Sequence, residues 1–360
     1  MARSHLLRTA ILGSEEKLRT VYHNAMQRKL ALRALRNIEQ DTGYILRAKE
    51  RRLIKSYAKE MFGSHSYAYW LYVYAAYQQR FVEGWIPNNY FGLVVAPRVN
   101  HQVRFIAGFK TLSKRLFETN LFPDIFYVID NKWYDYKMNP IEKQDVRRYL
   151  IETGNDCFAK AEFSSQGKGV VRLNSQNFDD IDFKKLGTCV IQESIRQAKW
   201  FEEILRDSVA TIRITTVKEP NGTFVMRAAY LRVGRSGSDI VQSSNAIRIP
   251  IIDRNGALGD FGADPDWRRH YKHPDSGFVF SGKTIPYFDC AVSVCERLHG
   301  RLPHCGIIGW DVAITNSGET KIMEWNARHP DIKFSEASTG PNFRSLGWEK
   351  MHYQSKIGSA

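Results

Sequence analysis

IIGWDVAITNSGETKIMEWN, residues 307–326, consists of two strand-like runs joined by Asn316-Ser317-Gly318-Glu319, a strong turn signal. Each run is interrupted by one acid, Asp311 in the first and Glu324 in the second. If Ser317-Gly318 forms a two-residue hairpin loop, Asp311 lies directly opposite Glu324, Thr315 opposite Thr320, and Ala313 opposite Ile322. Directly opposed side chains share one face, with Cβ atoms roughly 4.5–5.5 Å apart. Asn326, two residues beyond Glu324, points to that face too, because side chains alternate along a strand. Two facing carboxylates repel, and one takes up a proton unless a cation lies between them. Carboxylate and amide oxygens are hard ligands, suited to Mg²⁺ that also holds substrate phosphates. The other reading is a surface hairpin with two acids on its wet face, and a three-residue loop would separate the pair by shifting the register. The magnesium reading requires a phosphate site elsewhere in the chain.

The 360 residues are enough for two or three subdomains around a substantial core. Hydrophobic content of 43% and charged content of 25% are those of a globular chain. No uninterrupted apolar run approaches the length of a membrane span, and the opening MARSHLLRTAILGSEEKLRT reads as no signal peptide. Five cysteines, an odd number without a CxxC pair, indicate reduced thiols and a cytoplasmic location rather than a zinc site or a disulfide frame. The formal net charge is +14, and the first 60 residues hold fourteen Lys and Arg against six acids. Nucleic acid, an anionic membrane surface, phosphorylated substrates or a solvated basic face would each account for that excess.

Residues 14 to 84 read as helices. Leu18, Val21, Met26, Leu30, Leu32 and Leu35 recur broadly at helical intervals, with Ser14 placed to cap. LIKSYAKEMFG follows, ended by Gly63, and then an aromatic-rich helix, YAYWLYVYAAYQQRFVEG, closed by Gly84. GWIPNNYFG reads as a loop whose aromatics pack or stack on a sugar, and DIFYVIDNKWYD as a hairpin turning at Asp130-Asn131. From about residue 150 the chain changes to short strands separated by Gly, Asn and Asp turns, with FDCAVSVCERLHGRL as a helix. A helix-rich first part and a strand-rich second part give an α+β class.

The phosphate site is sought in FAKAEFSSQGKGV, where Phe158, Lys160 and Glu162 alternate on one strand face before a loop containing Gly167, Lys168 and Gly169. Glycines let backbone N–H groups approach a polyphosphate and lysines add charge, although no GK[ST] opens a helix here. VIQESI offers the backbone of Cys189-Val190-Ile191 to an adenine edge, with Glu193 as acceptor, or is simply a buried strand reaching the surface. Arg213 in ATIRITTV and Arg232 in AYLRVG are costly among apolar neighbours unless they meet an anion. Asn245 is a further oxygen ligand or a turn residue, and His273 beside Pro274 reads as structural.

The ordered set resembles the ATP-grasp superfamily: lysine strand, Gly-rich loop, IQES hinge, strand arginines, then Asp311 with Glu324-Trp325-Asn326. GWIPNNYF, FKTLSKRLF, ATIRITTV, LRVG, HPDSGFVFSGKTIPYF and IIGWDVAIT carry a narrower resemblance to the sugar-transfer associated ATP-grasp family. Where that family usually has Asn-Thr-Leu-Arg, this chain has Ala210-Thr211-Ile212-Arg213. The resemblance implies an ATP-grasp fold, two α+β subdomains clasping ATP, preceded by a helical N-terminal region. Its expected divisions are a basic helical region over 1–84, a pre-ATP-grasp region over 85–150, a catalytic domain over 151–335 and a tail over 336–360. It assigns Lys160, Gly167, Lys168, Gly169, Gln192 and Glu193 to ATP, Asp311, Glu324 and Asn326 to Mg²⁺, and Arg213 and Arg232 to phosphoryl and acyl-phosphate stabilisation. The implied activity is an ATP-dependent carboxylate–amine ligase acting on a sugar acid or amino acid in polysaccharide biosynthesis. The alternatives are a kinase on the same scaffold, or a non-catalytic binder of nucleic acid or anionic lipid. The expected partners are small-molecule carboxylates and amines rather than nucleic acid, with the basic helices suited to peripheral contact with an anionic membrane.

Overall fold

The computed structural model describes residues 2–164, 169–242 and 244–354. Chain contacts gather into two units: Met1–Arg98 with Asp266–Arg268 and Asp331–Ala360, and Val99–Pro265 with Arg269–Pro330.

The first unit is helical, built on α1 (Ala2–Thr42), α2 (Ala48–Phe62) and α3 (Ala68–Gln78). Helix α1 starts at Ala2, so Ser14 lies within the helix and not at its N-terminus. Helix α2 starts after Arg47, whose backbone N–H donates to the Glu50 carboxylate at 2.9 Å. It ends as expected at Gly63, whose φ of 79° is the left-handed conformation that closes helices. A Cβ at Gly63 would also lie 2.8 Å from the His352 ring. Helix α3 is aromatic on every side and buried throughout most of its length, including Trp70, Tyr74 and Tyr77. It stops at Gln78, short of the expected Gly84, because Gln79 takes the left-handed conformation and donates its N–H to the last-turn carbonyls. The expected loop GWIPNNYFG becomes helical from Asn88, and Trp85, Tyr90 and Phe91 are fully buried, so these aromatics pack.

The second unit carries two antiparallel sheets. The six-stranded sheet contains β1 (Asp124–Ile129), β2 (Lys132–Asp135), β3 (Pro140–Ile141), β4 (Cys157–Ala161), β5 (Val170–Leu173) and β6 (Cys189–Glu193), in the order β3-β2-β1-β6-β4-β5. Asp130 and Asn131 have φ of 49° and 62° and link Ile129 to its partner Lys132, the expected two-residue turn. The helix Lys143–Thr153 buries Val146 and Leu150 in this sheet's core with Phe178 and Phe183.

The seven-stranded sheet contains β7 (Thr211–Lys218), β8 (Phe224–Val233), β9 (Ile247–Ile251), β10 (Gly262–Ala263), β11 (Arg269–His270), β12 (Ile307–Ile314) and β13 (Thr320–Asn326), in the order β11-β10-β9-β8-β7-β12-β13. The helix Phe288–Gly300 buries Phe288, Ala291, Val292, Cys295 and Leu298 in the sheet's core, the spacing of one helical stripe. Ile212 and Ile214 of β7 enter the same core as Ile308, Trp310, Val312 and Ile314 of β12. Alternation therefore sends Arg213 and Asp311 to the opposite face.

The β12–β13 hairpin keeps the expected Asp311–Glu324 pair by a different route. Its loop is longer than two residues: Ile314 faces Thr320, Ala313 faces Lys321 and Val312 faces Ile322. A bulge at Met323 then restores Asp311↔Glu324, Trp310↔Trp325 and Gly309↔Asn326. The consequence is specific. Without the extra residue, Ile322 and Glu324 would share a face, whereas here Ile322 and Trp325 are both in the core and Glu324 lines a cavity.

Candidate active site

The two sheets border a cavity of about 270 Å³ within the second unit. Strand β4 contributes Phe158 and Lys160, β6 Gln192 and Glu193, β7 Thr211 and Arg213, β8 Arg232, β12 Asp311, and β13 Met323, Glu324 and Asn326. Val170, Ile195 and Val209 add an apolar wall, the kind of surface a flat aromatic base fills. Nine of the eleven residues assigned to the site from the sequence are described. Of those nine, Gly169 does not line this cavity, and its φ of 74° closes the β4–β5 connection by accepting the Ala161 N–H at 2.9 Å. Gly167 and Lys168 lie outside the described residues.

Asp311 is the most constrained group. Its cross-strand partner on β7 is Arg213, whose Nε and Nη2 donate to the two carboxylate oxygens at 2.7 and 2.9 Å. Arg232 donates a further hydrogen bond to Oδ1. Burial alone would raise the Asp311 pKa, but Arg213 and then Arg232 hold it below the usual carboxylate range. Among the described residues, the charges lying against Asp311 are these two guanidinium groups. This bidentate geometry depends on Gly309, because a Cβ there would lie 2.7 Å from Arg213 Nη1.

Glu324 is treated differently. Among the described residues its carboxylate has no hydrogen bond or ion pair. Burial raises its pKa, the Asp311 charge raises it further, and Lys110 and Lys160 oppose the shift. Lys160 likewise has no hydrogen bond or ion pair among the described residues, and desolvation lowers its pKa against the pull of Glu324 and Asp124. Lys110 is similarly lowered by burial, while its ammonium donates to the Ala161 and Ser164 carbonyls at 3.1 Å each. Two partly desolvated lysines and an unpartnered carboxylate in one cavity form a charge set completed by a polyanion and a cation.

Glu324, Asn326 and the remaining acceptor capacity of Asp311 are hard oxygen donors. The side chain of Asn326 also has no hydrogen bond among the described residues. No cluster of three His, Cys, Asp or Glu that could hold a metal occurs among the described residues. The donor set therefore fits an ion that takes a few protein oxygens and completes its shell with phosphates and water, as Mg²⁺ does. It does not fit a metal enclosed by protein ligands.

At the other end of the cavity, Gln192 donates its amide to Asp124 at 2.7 Å, and its buried Oε1 has no hydrogen-bond partner among the described residues. Glu193 accepts from Asn155 at 2.7 Å and Tyr149 at 3.3 Å. Glu162 departs from the expected strand face: β4 ends at Ala161, and the carboxylate accepts the Thr111 N–H at 3.2 Å and its hydroxyl. Asn245 does not line the cavity. His273 is fully buried, with Nε2 bonded to the Gly234 carbonyl at 2.9 Å, a structural residue as its sequence setting suggested.

Sequence reasoning missed Lys110, Asp124 and Asn100. Lys110 lay in the quoted FKTLSKRLF without a role of its own. Asn100 is fully buried, donates to the Ile307 and Ala327 carbonyls at 2.8 and 2.6 Å, and accepts the Gly306 and Ile307 N–H groups at 2.8 and 3.0 Å. It thereby ties the start of β12 to the end of β13 and fixes the hairpin carrying both acids. No local pattern marks it, because all its partners are more than 200 residues away.

Residues 182–346 match the family model described as sugar-transfer associated ATP-grasp. No curated protein matches the chain. Among solved structures it is similar to the biotin carboxylase domain of 2-oxoglutarate carboxylase from Hydrogenobacter thermophilus, crystallised with MgADP, ADP and bicarbonate. That match has 11% identity and a TM-score of 0.41, covering 67% of this chain and 44% of that one. The ATP-grasp ligase PsnB with its minimal precursor gives 13% identity, a TM-score of 0.40, and coverage of 72% and 63%. The ADP complex of PurK, an N5-carboxyaminoimidazole ribonucleotide synthetase, gives 14%, 0.35, and coverage of 60% and 43%. The chain thus spans less than two thirds of the length of each. No helix among the described residues is long and apolar enough to cross a membrane.

Proposed function

We propose, on the premise that the chain has the ATP-grasp fold and that residues 182–346 belong to the sugar-transfer associated ATP-grasp family, that it is an ATP- and Mg²⁺-dependent carboxylate–amine ligase. The observation that carries this reading is the pairing, in one cavity, of the desolvated Lys110 and Lys160 with the unpartnered Glu324. The span 151–335 is the proposed catalytic domain, and the proposed substrates are a sugar acid or amino acid and an amine in cell-surface polysaccharide biosynthesis.

In this reading Lys110 and Lys160 neutralise the phosphates of ATP, with Lys168 and the backbone of Gly167 and Gly169 in the adjoining loop. Gln192, through the unpaired Oε1, and Glu193 receive the nucleoside. Glu324, Asn326 and Asp311 offer oxygens to magnesium, which when bound neutralises phosphate charge. Arg213 and Arg232, anchored on Asp311, hold positive charge where a substrate carboxylate and its phosphorylated form would lie. The substrate carboxylate attacks the γ-phosphorus, the bond to the β-bridging oxygen breaks, and ADP leaves. The amine then attacks the acyl carbon, phosphate leaves with the bonding pair, and the amine gives up a proton as the amide forms. The chain's part is positioning and charge neutralisation.

The test is ATP turnover by the purified chain with Mg²⁺ against pairs of sugar acids, amino acids and amines. ADP and phosphate released only when a carboxylate and an amine are both present, with loss in Glu324→Ala, is the expected result. ADP formed with a hydroxylated acceptor alone would replace the ligase by a kinase on the same scaffold.

A further inference from the structure

Between Leu18 and Ile38, α1 carries Arg19, Arg28, Lys29, Arg33 and Arg36 and no acid. Gln27, Ala31, Ala34, Leu35 and Ile38 are buried. Leu18, Tyr22, Met26 and Leu30 are 72%, 73%, 42% and 48% exposed. They recur every four residues and so form one stripe along the helix, with Val21 (66% exposed) beside it. Arg19, Lys29 and Arg33 are exposed along the same stretch. Arg33 meets Asp266 at 2.7 Å, and the other four cations form no ion pair among the described residues.

Beside this stripe is a concavity of about 390 Å³ lined by Asn24, Arg28, Lys55, His65, Ser66 and Tyr69 among others, with no acid among the described residues of its wall. The Arg28 guanidinium lies 4.9 Å over the Tyr69 ring. Lys55 makes no ion pair among the described residues, and its carbonyl faces His65 Nδ1 at 3.1 Å. The concavity has the chemistry of a phosphate seat: two cations, an imidazole and a hydroxyl.

We propose that this face of α1 docks on an anionic lipid bilayer. The stripe from Leu18 to Leu30 enters the boundary between head groups and acyl chains, and Arg19 and Lys29 lie among the phosphates. One head-group phosphate occupies the concavity at Arg28, Lys55 and His65. A basic helix with outward-facing large apolar side chains is the surface that such an interface stabilises, through apolar burial and attraction to anionic lipid together. Among the described residues of this face there is no acid, so a second copy packed on it would set cations against cations. Nucleic acid would neutralise the charge but leave the apolar stripe in water. The proposal is independent of the chemistry in the cavity, since none of these residues lines it.

The test is co-sedimentation of the full chain with phosphatidylcholine vesicles, with and without about a third of phosphatidylglycerol, a composition that sets the surface charge. Binding is expected to the anionic vesicles and not to the neutral ones, falling as salt rises. Two double variants, Arg28→Glu with Lys55→Glu and Leu18→Asp with Met26→Asp, are each expected to weaken binding at least about tenfold. Melting temperature and ATP turnover without vesicles should stay unchanged, which separates lost docking from lost folding or lost chemistry. Absence of vesicle binding, or equal binding to neutral vesicles, overturns the proposal. So does a dimer abolished by the Leu18→Asp pair, or tighter binding to nucleic acid than to vesicles. Thermal stabilisation by inorganic phosphate, lost in Arg28→Glu and unaccompanied by vesicle binding, would reassign the concavity to a soluble anion.

Discussion

Each unit shelters a glutamate, and the two are handled in opposite ways. Glu336, in the helical unit, is fully buried, and its two oxygens accept backbone N–H groups from Ile86 at 2.7 Å and Asn342 at 2.8 Å. Burial pushes its carboxyl up to about 7. Glu324, in the two-sheet unit, is also raised by burial, but it has no hydrogen-bonding partner among the described residues and lines a cavity with two lysines. Burial alone therefore does not separate architecture from function. An acid closed by the chain's own donors is a structural element, whereas one held in low dielectric without a partner is poised for a ligand.

Asp311 tests the boundary between these cases, because it is closed by side chains and borders the same cavity. Arg213→Ala would leave a buried carboxylate short of its main partner and should cost about 3–5 kcal/mol of stability in denaturant titrations. A loss near zero would show that Asp311 is as open as Glu324. Glu324→Ala should show the reverse pattern. Mg²⁺-dependent ATP turnover should fall about 10²–10³-fold, with melting temperature nearly unchanged because no protein partner is lost. A Glu324→Ala variant that loses several degrees of melting temperature while keeping its ATP turnover would erase the contrast.

The pH dependence sharpens it further. The folded-state pKa of Glu336, about 7, is above its ordinary value of 4.5, so between these values the folded chain holds more protons than the unfolded chain. Its contribution is full below 4.5 and is lost as pH rises through 7, by up to ~3 kcal/mol. The stability of the unsubstituted chain relative to Glu336→Gln, measured from pH 4.5 to 7.5, should decline with that sign. Asp311 carries the opposite sign, its contribution being lost only as pH falls through its depressed value. The smallest effect belongs to Arg33–Asp266, an ion pair like Arg213–Asp311 but with side chains 67% and 40% exposed. Arg33→Ala should change stability by less than about 1 kcal/mol. A larger loss would mean that exposure is not what distinguishes the two pairs.

Much of the frame was legible because it rests on near neighbours. Asp130-Asn131 announced its turn and Gly63 its helix end, each through a backbone conformation few residues adopt. The facing of Asp311 and Glu324 was also read, but from a loop that does not form. Two departures, a longer turn and a bulge at Met323, cancel at that pair. Ile322, apolar yet on the acid's face under strict alternation, was the available sign of the bulge. The end of α3 was misplaced because Gln79 adopts a left-handed conformation with no glycine to signal it.

The sequence by itself determined the α+β class, most turns, the strands carrying Lys160, Arg213, Arg232, Asp311 and Glu324, and the basic character of α1. The tertiary structure decided which charge meets which. Asp311 is neutralised by an arginine 98 positions away, Lys110 and Glu324 share a cavity, and Asn100 joins strands more than 200 residues distant. Local conformation follows from sterics and hydrogen bonds within a few residues of the chain. Charge pairing follows from proximity in space at low dielectric, which is settled once the sheets have packed.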